Sequence, residues 1–171
     1  MTDRAPTVDV RSARIADCEA IARIYNQGID ERIATFETRH RTPSDIVNWF
    51  DGKHPIVVVT FDGTVVAFAA TSDYRSRECY AGIAEYSVYV DRAARGMGAG
   101  RAALSGLVDA ATHAGYWKLV SRIFPENQAS IGLAESVGFR VVGTYEKHGR
   151  LDGVWKDVVI VECLLGELAD A

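Results

Sequence analysis

Along this chain the spacing of apolar residues switches between two and three to four, so strands and helices can be told apart by pattern. Val8 to Arg14 alternates as a short first strand. Asp17 precedes Ile21, Ile24, Tyr25 and Ile29, which predicts a helix capped by Asp17 and ending near Ala34. Thr42-Pro43-Ser44-Asp45 reads as a second helix start, with Thr42 as cap, Pro43 at the first position and Asp45 reaching back to the cap. That helix is short, runs through Trp49 and Phe50, and stops at Gly52. Ile56 to Phe61 and Thr64 to Ala70 are predicted strands, joined by the hairpin pair Asp62-Gly63.

Tyr74 to Glu78 is polar and predicts a loop at the rim of the sheet, followed by a fourth strand over Ile83 to Val90. From Gly98 to Gly115, Ala103, Leu104, Leu107, Val108 and Ala111 form one helical stripe. Trp117 to Phe124 is a fifth strand closed by Pro125, and Asn127 to Val137 a helix ended by Gly138. Phe139 to Tyr145 and Val154 to Leu165 are a last strand pair across a polar connection, Lys147 to Gly153. No repeat, low-complexity tract or linker interrupts this order, so residues 1–171 are expected to form a single mixed α/β domain.

With 48% hydrophobic and 25% charged residues, the chain has enough apolar material for a substantial core. Its net charge of -4 disfavours nucleic acid and anionic membrane as partners. No apolar run approaches a membrane span, and Met1 to Val10 lacks the apolar core of a signal peptide. Cys18, Cys79 and Cys163 are widely separated and, like His40, His54 and His113, show no metal-ligand spacing. The expectation is a cytoplasmic protein without a metal.

The chemistry concentrates in one stretch, Glu85 to Arg101. An apolar β-branched run leads through Asp91 to a glycine-rich loop flanked by Arg95 and Arg101, and then into a helix. Glycines let a backbone approach an anion with its N–H groups, and the following helix presents its positive end. The same glycines also suit a tight strand-to-helix turn. No Gly-Lys-Ser or Gly-Lys-Thr ending is present, which excludes a Walker loop, and Asp91 to Arg95 separate strand from glycines too widely for a dinucleotide fold.

Glu85, Ser87 and Tyr89 share one face of the fourth strand, with Tyr86, Val88 and Val90 on the other. A carboxylate among apolar neighbours has a raised pKa and suits a general base; it equally suits a structural role if a neighbouring loop binds it. Arg75 and Arg77 can converge on one oxyanion or remain solvated loop residues. Asn127 is accounted for by capping the helix it opens. His148 and Asp152 are turn residues that could reach a substrate.

In Tyr25-Asn26-Gln27-Gly28-Ile29, Ala34-Thr35-Phe36-Glu37-Thr38, Glu85 to Val90, Arg95 to Arg101, Asn127-Gln128-Ala129-Ser130, Val137-Gly138-Phe139 and Trp155-Lys156-Asp157-Val158, the chain resembles the phosphinothricin N-acetyltransferase family of the GNAT superfamily. Tyr74-Arg75-Ser76-Arg77 and Glu146 to Gly153 are most similar to the branch associated with arsinothricin resistance. The resemblance implies a mixed, mostly antiparallel seven-stranded sheet flanked by about four helices, with the fourth and fifth strands splayed. It implies acetyl-coenzyme A as cosubstrate and the α-amine of a glutamate-like amino acid as acceptor.

By the same resemblance, Arg95, Gly96, Met97, Gly98, Ala99, Gly100 and Arg101 bind the pyrophosphate, Val88, Tyr89 and Val90 the pantetheine arm, and Asn127 and Ser130 complete the cofactor site. Glu85 deprotonates the acceptor ammonium, and the Val88 N–H holds the oxyanion. Phe36 and Tyr80 wall the acceptor pocket, in which Arg75 and Arg77 hold the acidic head. Ala134 stands where many relatives carry a tyrosine that protonates the thiolate, leaving that role to water, Tyr89 or Ser130. A homodimer is expected on the same ground. Two other readings stay open: the same fold and donor with another amine, such as methionine sulfoximine or sulfone, as acceptor, and an acetyl-coenzyme A sensor without catalysis.

Overall fold

Ile56 to Thr60 are buried at every position, on both faces of the strand, and so mark the middle of a sheet covered on both sides. In the computed structural model, which describes residues 4–170, the strands are β1 (Val8–Ser12), β2 (Ile56–Phe61), β3 (Thr64–Asp73), β4 (Ile83–Val90), β5 (Lys118–Ile123), β6 (Arg140–Leu151) and β7 (Val154–Leu164). The helices are α1 (Cys18–Glu31), α2 (Pro43–Val47), α3 (Ala99–His113) and α4 (Gln128–Ser136). The strands form one seven-stranded sheet in the order β1-β2-β3-β4-β5-β7-β6. Only β4 and β5 run parallel; every other neighbouring pair is antiparallel.

Period-two alternation divides the core between the faces. Ile56, Val58, Phe68 and Ala70 pack with Ile21, Ile24, Tyr25 and Ile29 of α1 and with Ile46 of α2. Val57, Val59, Ala67 and Ala69 pack on the other side with Ala103, Leu104, Leu107 and Ala111 of α3 and Ala134 of α4. The helical stripes expected from spacing are therefore the faces that the sheet buries. Thr42 caps α2 as expected: its hydroxyl accepts from the Asp45 N–H at 3.2 Å, and its own N–H reaches the Asp45 carboxylate at 2.8 Å.

Several boundaries differ from the pattern-based reading: α2 ends at Val47, so Trp49 and Phe50 lie beyond it, and β3 runs on past Ala70 to Asp73. Asp17 does not cap α1; its carboxylate accepts from Arg11 at 2.8 and 2.9 Å and from the Arg14 N–H at 2.7 Å, closing a single 3₁₀ turn ahead of the helix. Arg11 beside it holds the buried Asp17 carboxyl below the usual carboxylate range, against the opposing effect of burial. The pair accordingly stabilises the fold above the ordinary carboxylate pKa, and that contribution is lost as pH falls through the lowered value. Helix α1 stops at Glu31, because Arg32 adopts a left-handed φ of 59°.

The stretch Lys147 to Gly153 is not a polar connection. β6 runs through it to Leu151 with a register shift between Tyr145 and Gly149, and the turn is only Asp152-Gly153, both at positive φ. Leu151 anchors this extension by packing with Phe124 and Val158, against which Phe36 also packs.

Candidate active site

The sheet forks between β4 and β5. Their pairing covers Ile83 with Lys118, Ala84 with Leu119 and Glu85 with Val120, and then ends, although β4 continues to Val90. At the crotch the Ser121 hydroxyl donates to the Tyr86 carbonyl at 3.0 Å. Because backbone polar groups alternate from edge to edge, the edge of β4 that carries the Tyr86 carbonyl also carries the N–H and C=O groups of Val88 and Val90. These lie beyond the last β5 pairing, so β4 presents an edge without a ladder partner toward the fork. The splaying expected of the fourth and fifth strands is present.

Glu85 sits at this crotch. Its setting is not the apolar one that alternation suggested: Arg122 of β5 donates from Nη2 to both Glu85 oxygens, at 2.6 and 2.7 Å. The Glu85 side chain is 23% exposed and that of Arg122 47%. Both line a cavity of about 670 Å³, together with Tyr25, Phe36, Trp49, Ser87, Tyr89 and Phe124. Further acidic groups line it: Glu37, Asp51 and Asp73. Arg41, also in the wall, is committed to Glu37 and to the Arg39 carbonyl. His54 Nδ1 donates to the Asp51 carboxylate, while its other ring nitrogen lies 3.2 Å from Asp73, off the line of a hydrogen bond. Burial pushes the Tyr25 and Tyr89 phenols up, partly offset by the Thr35 hydroxyl, so both keep their protons.

The glycine loop lies at the open end of the fork. Gly96 and Gly98 adopt φ of +77° and +84°, a region that costs side-chain-bearing residues about 1–2 kcal/mol. Gly98 ends the loop in the N-cap position of α3 with no side-chain cap, and the first internal bond of the helix is Ala102 N–H to Gly98 carbonyl at 3.1 Å. The N–H groups of Ala99, Gly100 and Arg101 therefore have no partner within the helix. They border a second cavity, of about 370 Å³, lined also by Val88, Val90, Arg95, Gly96, Gly98 and Leu133. Ala34, Val88, Tyr89, Asn127 and Ser130 line both cavities, which thus abut along β4. At Gly100 α3 passes close to its neighbours: an added Cβ would come to 3.2 Å from both Leu133 and Val90.

The residues singled out in the sequence divide three ways. Phe36, Glu85, Val88, Tyr89, Asn127 and Ser130 line the first cavity, and Val90, Arg95, Gly96, Gly98, Ala99, Gly100 and Arg101 line the second. Asn127 is also the α4 cap, accepting from the Ser130 N–H at 3.2 Å. Met97 is 53% exposed and lines neither cavity. Arg95 does not point freely into the groove: it pairs with Glu31 at 3.0 Å and donates to the Val90 carbonyl at 3.3 Å, while Arg92 pairs with the same Glu31 at 2.7 Å. Burial works to raise the Glu31 carboxyl, but the two guanidiniums outweigh it and hold it below the usual range.

Arg75, Arg77 and Tyr80 line neither cavity. The Arg75 guanidinium lies 5.1 Å from the Tyr74 ring centre and that of Arg77 5.8 Å from Tyr80, with the two tyrosine rings edge to face. They follow directly on Asp73, the last cavity residue of β3. Arg122 was missed by the sequence reading. In the sequence it is one polar position in a strand, and only the parallel register sets it against Glu85. Arg41 and Trp49 were also missed; Trp49 lies in the turn just past the end of α2.

A family model described as "Acetyltransferase (GNAT) family" matches residues 21–139. The chain is 34% identical over 164 residues to an L-amino acid N-acyltransferase of Escherichia coli K12, covering 94% of this chain and 95% of that protein. It is equally similar, at 34% over 164 residues, to an L-methionine sulfoximine/L-methionine sulfone acetyltransferase of Salmonella typhimurium LT2, over 94% of this chain and 96% of the relative. The fold superposes with a TM-score of 0.86 and 31% identity on a GNAT superfamily phosphinothricin acetyltransferase from Sinorhizobium meliloti in complex with acetyl-coenzyme A, covering 94% of this chain and 90% of that one.

Proposed function

Because the chain belongs to the GNAT acetyltransferase family, we propose that it transfers the acetyl group of acetyl-coenzyme A to the α-amino group of a glutamate-like toxic amino acid, arsinothricin or phosphinothricin, and so confers resistance. The observation that carries this reading is the fork itself. A carboxylate at its crotch, an unpaired β4 edge along it and a row of helix N-terminal N–H groups at its open end lie on two abutting cavities.

The residues present fit the cosubstrate. Ala99, Gly100 and Arg101 offer N–H groups to a pyrophosphate, and the Val88 and Val90 edge offers strand-like pairing to the pantetheine amides. Bound acetyl-coenzyme A supplies the acetyl thioester. Glu85 removes a proton from the acceptor ammonium, directly or through a water, and frees the nitrogen lone pair. That pair forms the C–N bond at the carbonyl carbon while the Val88 N–H steadies the oxyanion. The C–S bond then breaks, the nitrogen gives up its second proton to solvent, and the thiolate leaves with its electron pair and is protonated. Water takes that last role, or a hydroxyl of Tyr89 or Ser130, which line both cavities.

Arg75 and Arg77, two and four residues past Asp73, take the acidic head of the acceptor side chain and disfavour polyamines. Rates of thiol release over phosphinothricin, arsinothricin, methionine sulfoximine, glutamate and spermidine test this assignment. Preference for the first two supports it; activity on glutamate or spermidine alone contradicts it.

Gly98→Val tests the pyrophosphate loop. A β-branched residue at φ +84° strains the backbone that aims the α3 N–H groups. The KM for acetyl-coenzyme A is expected to rise about tenfold or more, from the ~1–2 kcal/mol left-handed penalty, with kcat at saturation little changed. An unchanged KM would remove the loop from the binding site.

The proposal extends to a cytoplasmic homodimer. Its support is β6, an edge strand whose Val141, Val142 and Tyr145 are 43, 48 and 52% exposed, a surface that a monomer rarely leaves open. Sedimentation as a monomer at micromolar concentration would exclude the dimer. Among the described residues no helix is long and apolar enough to cross a membrane.

A further inference from the structure

The Glu85–Arg122 pair presents a carboxylate and a guanidinium side by side on the floor of the larger cavity. An α-amino acid zwitterion presents the complementary pair, an ammonium and a carboxylate on one carbon. We propose that Arg122 is the residue that reads the acceptor's α-carboxylate, holding it so that the adjacent ammonium falls on Glu85. The inference rests on the acetyltransferase reading above and deepens it by giving the specificity for α-amino acids, over other amines, to one side chain.

Three observations carry it. First, Arg122 spends only Nη2 on Glu85; among the described residues its Nε and Nη1 make no hydrogen bond, so the guanidinium has donors left for a second carboxylate. Second, the other basic side chains of the cavity face carboxylates of their own: His54 bonds Asp51 and turns its second ring nitrogen to within 3.2 Å of Asp73. Arg41 uses Nη2 on Glu37 and Nη1 on the Arg39 carbonyl, and Glu37, Asp51 and Asp73 repel an anion. Third, the guanidinium is reachable, since the Arg122 side chain is 47% exposed and lines the cavity. A planar fork that binds one carboxylate on one nitrogen and another on its remaining edge is chemistry that arginine performs and lysine does not.

The pair also explains how the site manages without an acceptor. Each charge satisfies the other, and the arriving zwitterion adds its carboxylate on the remaining donors of Arg122 and its ammonium on Glu85. An amine lacking the carboxylate leaves the guanidinium engaged with Glu85 and so competes with Arg122 for the base. The cost falls on binding and on the approach of nitrogen to Glu85, and discrimination follows from the missing α-carboxylate alone.

The test compares three probes: L-methionine sulfone, its α-carboxamide, and the decarboxylated amine 3-(methylsulfonyl)propylamine. The wild-type protein is expected to favour the free acid over both by about 30-fold or more in kcat/KM, the range of a charge-assisted hydrogen bond. Arg122→Gln is expected to lower kcat/KM for the acid about 30-fold, mainly through KM, while leaving the carboxamide within about threefold, so that the preference disappears. Arg122→Lys keeps a point charge and is expected to restore part of the preference, and an unchanged acetyl-coenzyme A affinity shows that each variant is folded.

Equal wild-type rates on acid and carboxamide would overturn the inference. So would an Arg122→Gln variant that loses both acceptors alike, which would make Arg122 a positioning residue for Glu85 only. A wild-type protein that acetylates phosphinothricin as fast as its α-carboxamide, but none of the three probes, would overturn the inference alone; one that acetylates neither phosphinothricin nor the probes would overturn the proposed function, and this inference with it.

Discussion

Replacing Glu85 by glutamine is expected to lower kcat for acetylation of an α-amino acid by about 100- to 10,000-fold near neutral pH, the usual contribution of a general base. The substitution keeps the shape and hydrogen-bonding reach of the side chain but removes its ability to take a proton. The acceptor is an ammonium at this pH and has no lone pair until a base removes that proton. Acetyl-coenzyme A affinity should stay within about twofold, because Glu85 stands at the crotch of the fork and the glycine loop at its other end. Steady-state thiol release and equilibrium binding separate the two effects. A loss below about tenfold would exclude Glu85 as the essential base, and wild-type protein that binds acetyl-coenzyme A but acetylates nothing would favour a sensor.

The largest expected effect on stability comes from Phe68→Ala. Phe68 is fully buried on the α1 face of the sheet, with its ring centre 6.4 Å from Tyr25, 6.1 Å from Trp49 and 5.4 Å from Tyr89. Removing the ring leaves a void that these three aromatic groups cannot close without leaving their rotamers. The expected cost is about 3–5 kcal/mol, which for a chain of this length lowers Tm by roughly 10 °C or more. Thermal unfolding followed by circular dichroism measures it, and a loss under about 1 kcal/mol would show a core able to collapse around the deletion. The same substitution loosens the cavity, since Tyr25, Trp49 and Tyr89 all line it. A raised KM for the acceptor at temperatures well below Tm is therefore expected alongside the destabilisation.

Much of this architecture could be read from local signals. The Thr42-Pro43-x-Asp45 box and the Asp62-Gly63 turn each specify their structure within four residues, and both stand where the sequence puts them. The strand of Glu85, the glycine loop and the α3 stripe form a continuous segment, so the carboxylate, the free edge and the phosphate cradle could be placed from one stretch of chain. What escaped was set by contacts distant in sequence. Arg122 meets Glu85 only through a parallel pairing between strands 37 residues apart, a relation that no local pattern encodes. Glu85 consequently looked surrounded by apolar residues when it has a guanidinium partner.

Asp17 and the end of the chain show a second kind of limit. Asp17 had the sequence context of a helix cap, but Arg11 on β1 outcompeted the helix N–H groups for its carboxylate. The run Lys147 to Gly153 looked like a connection because it is mostly polar, and most of its side chains are in fact exposed. An edge strand can expose both faces, and Asp152-Gly153 at its end was the turn signal to follow. Arg75 and Arg77 were legible as a pair but not as a place, since they lie past the end of β3 over Tyr74 and Tyr80 rather than in the cavity wall.

The central claim is direct transfer from acetyl-coenzyme A to an α-amine at the fork, with no acetyl group resting on the protein. Its most direct test is to mix the protein with acetyl-coenzyme A labelled at the carbonyl carbon and with L-methionine sulfone, and to follow the label by carbon NMR and by mass spectrometry of the protein. The account predicts that the label appears in an α-N-acetyl amide in step with free thiol, while the protein mass stays unchanged throughout. Thiol release without amide, or label on the protein before it reaches the amino acid, would contradict it.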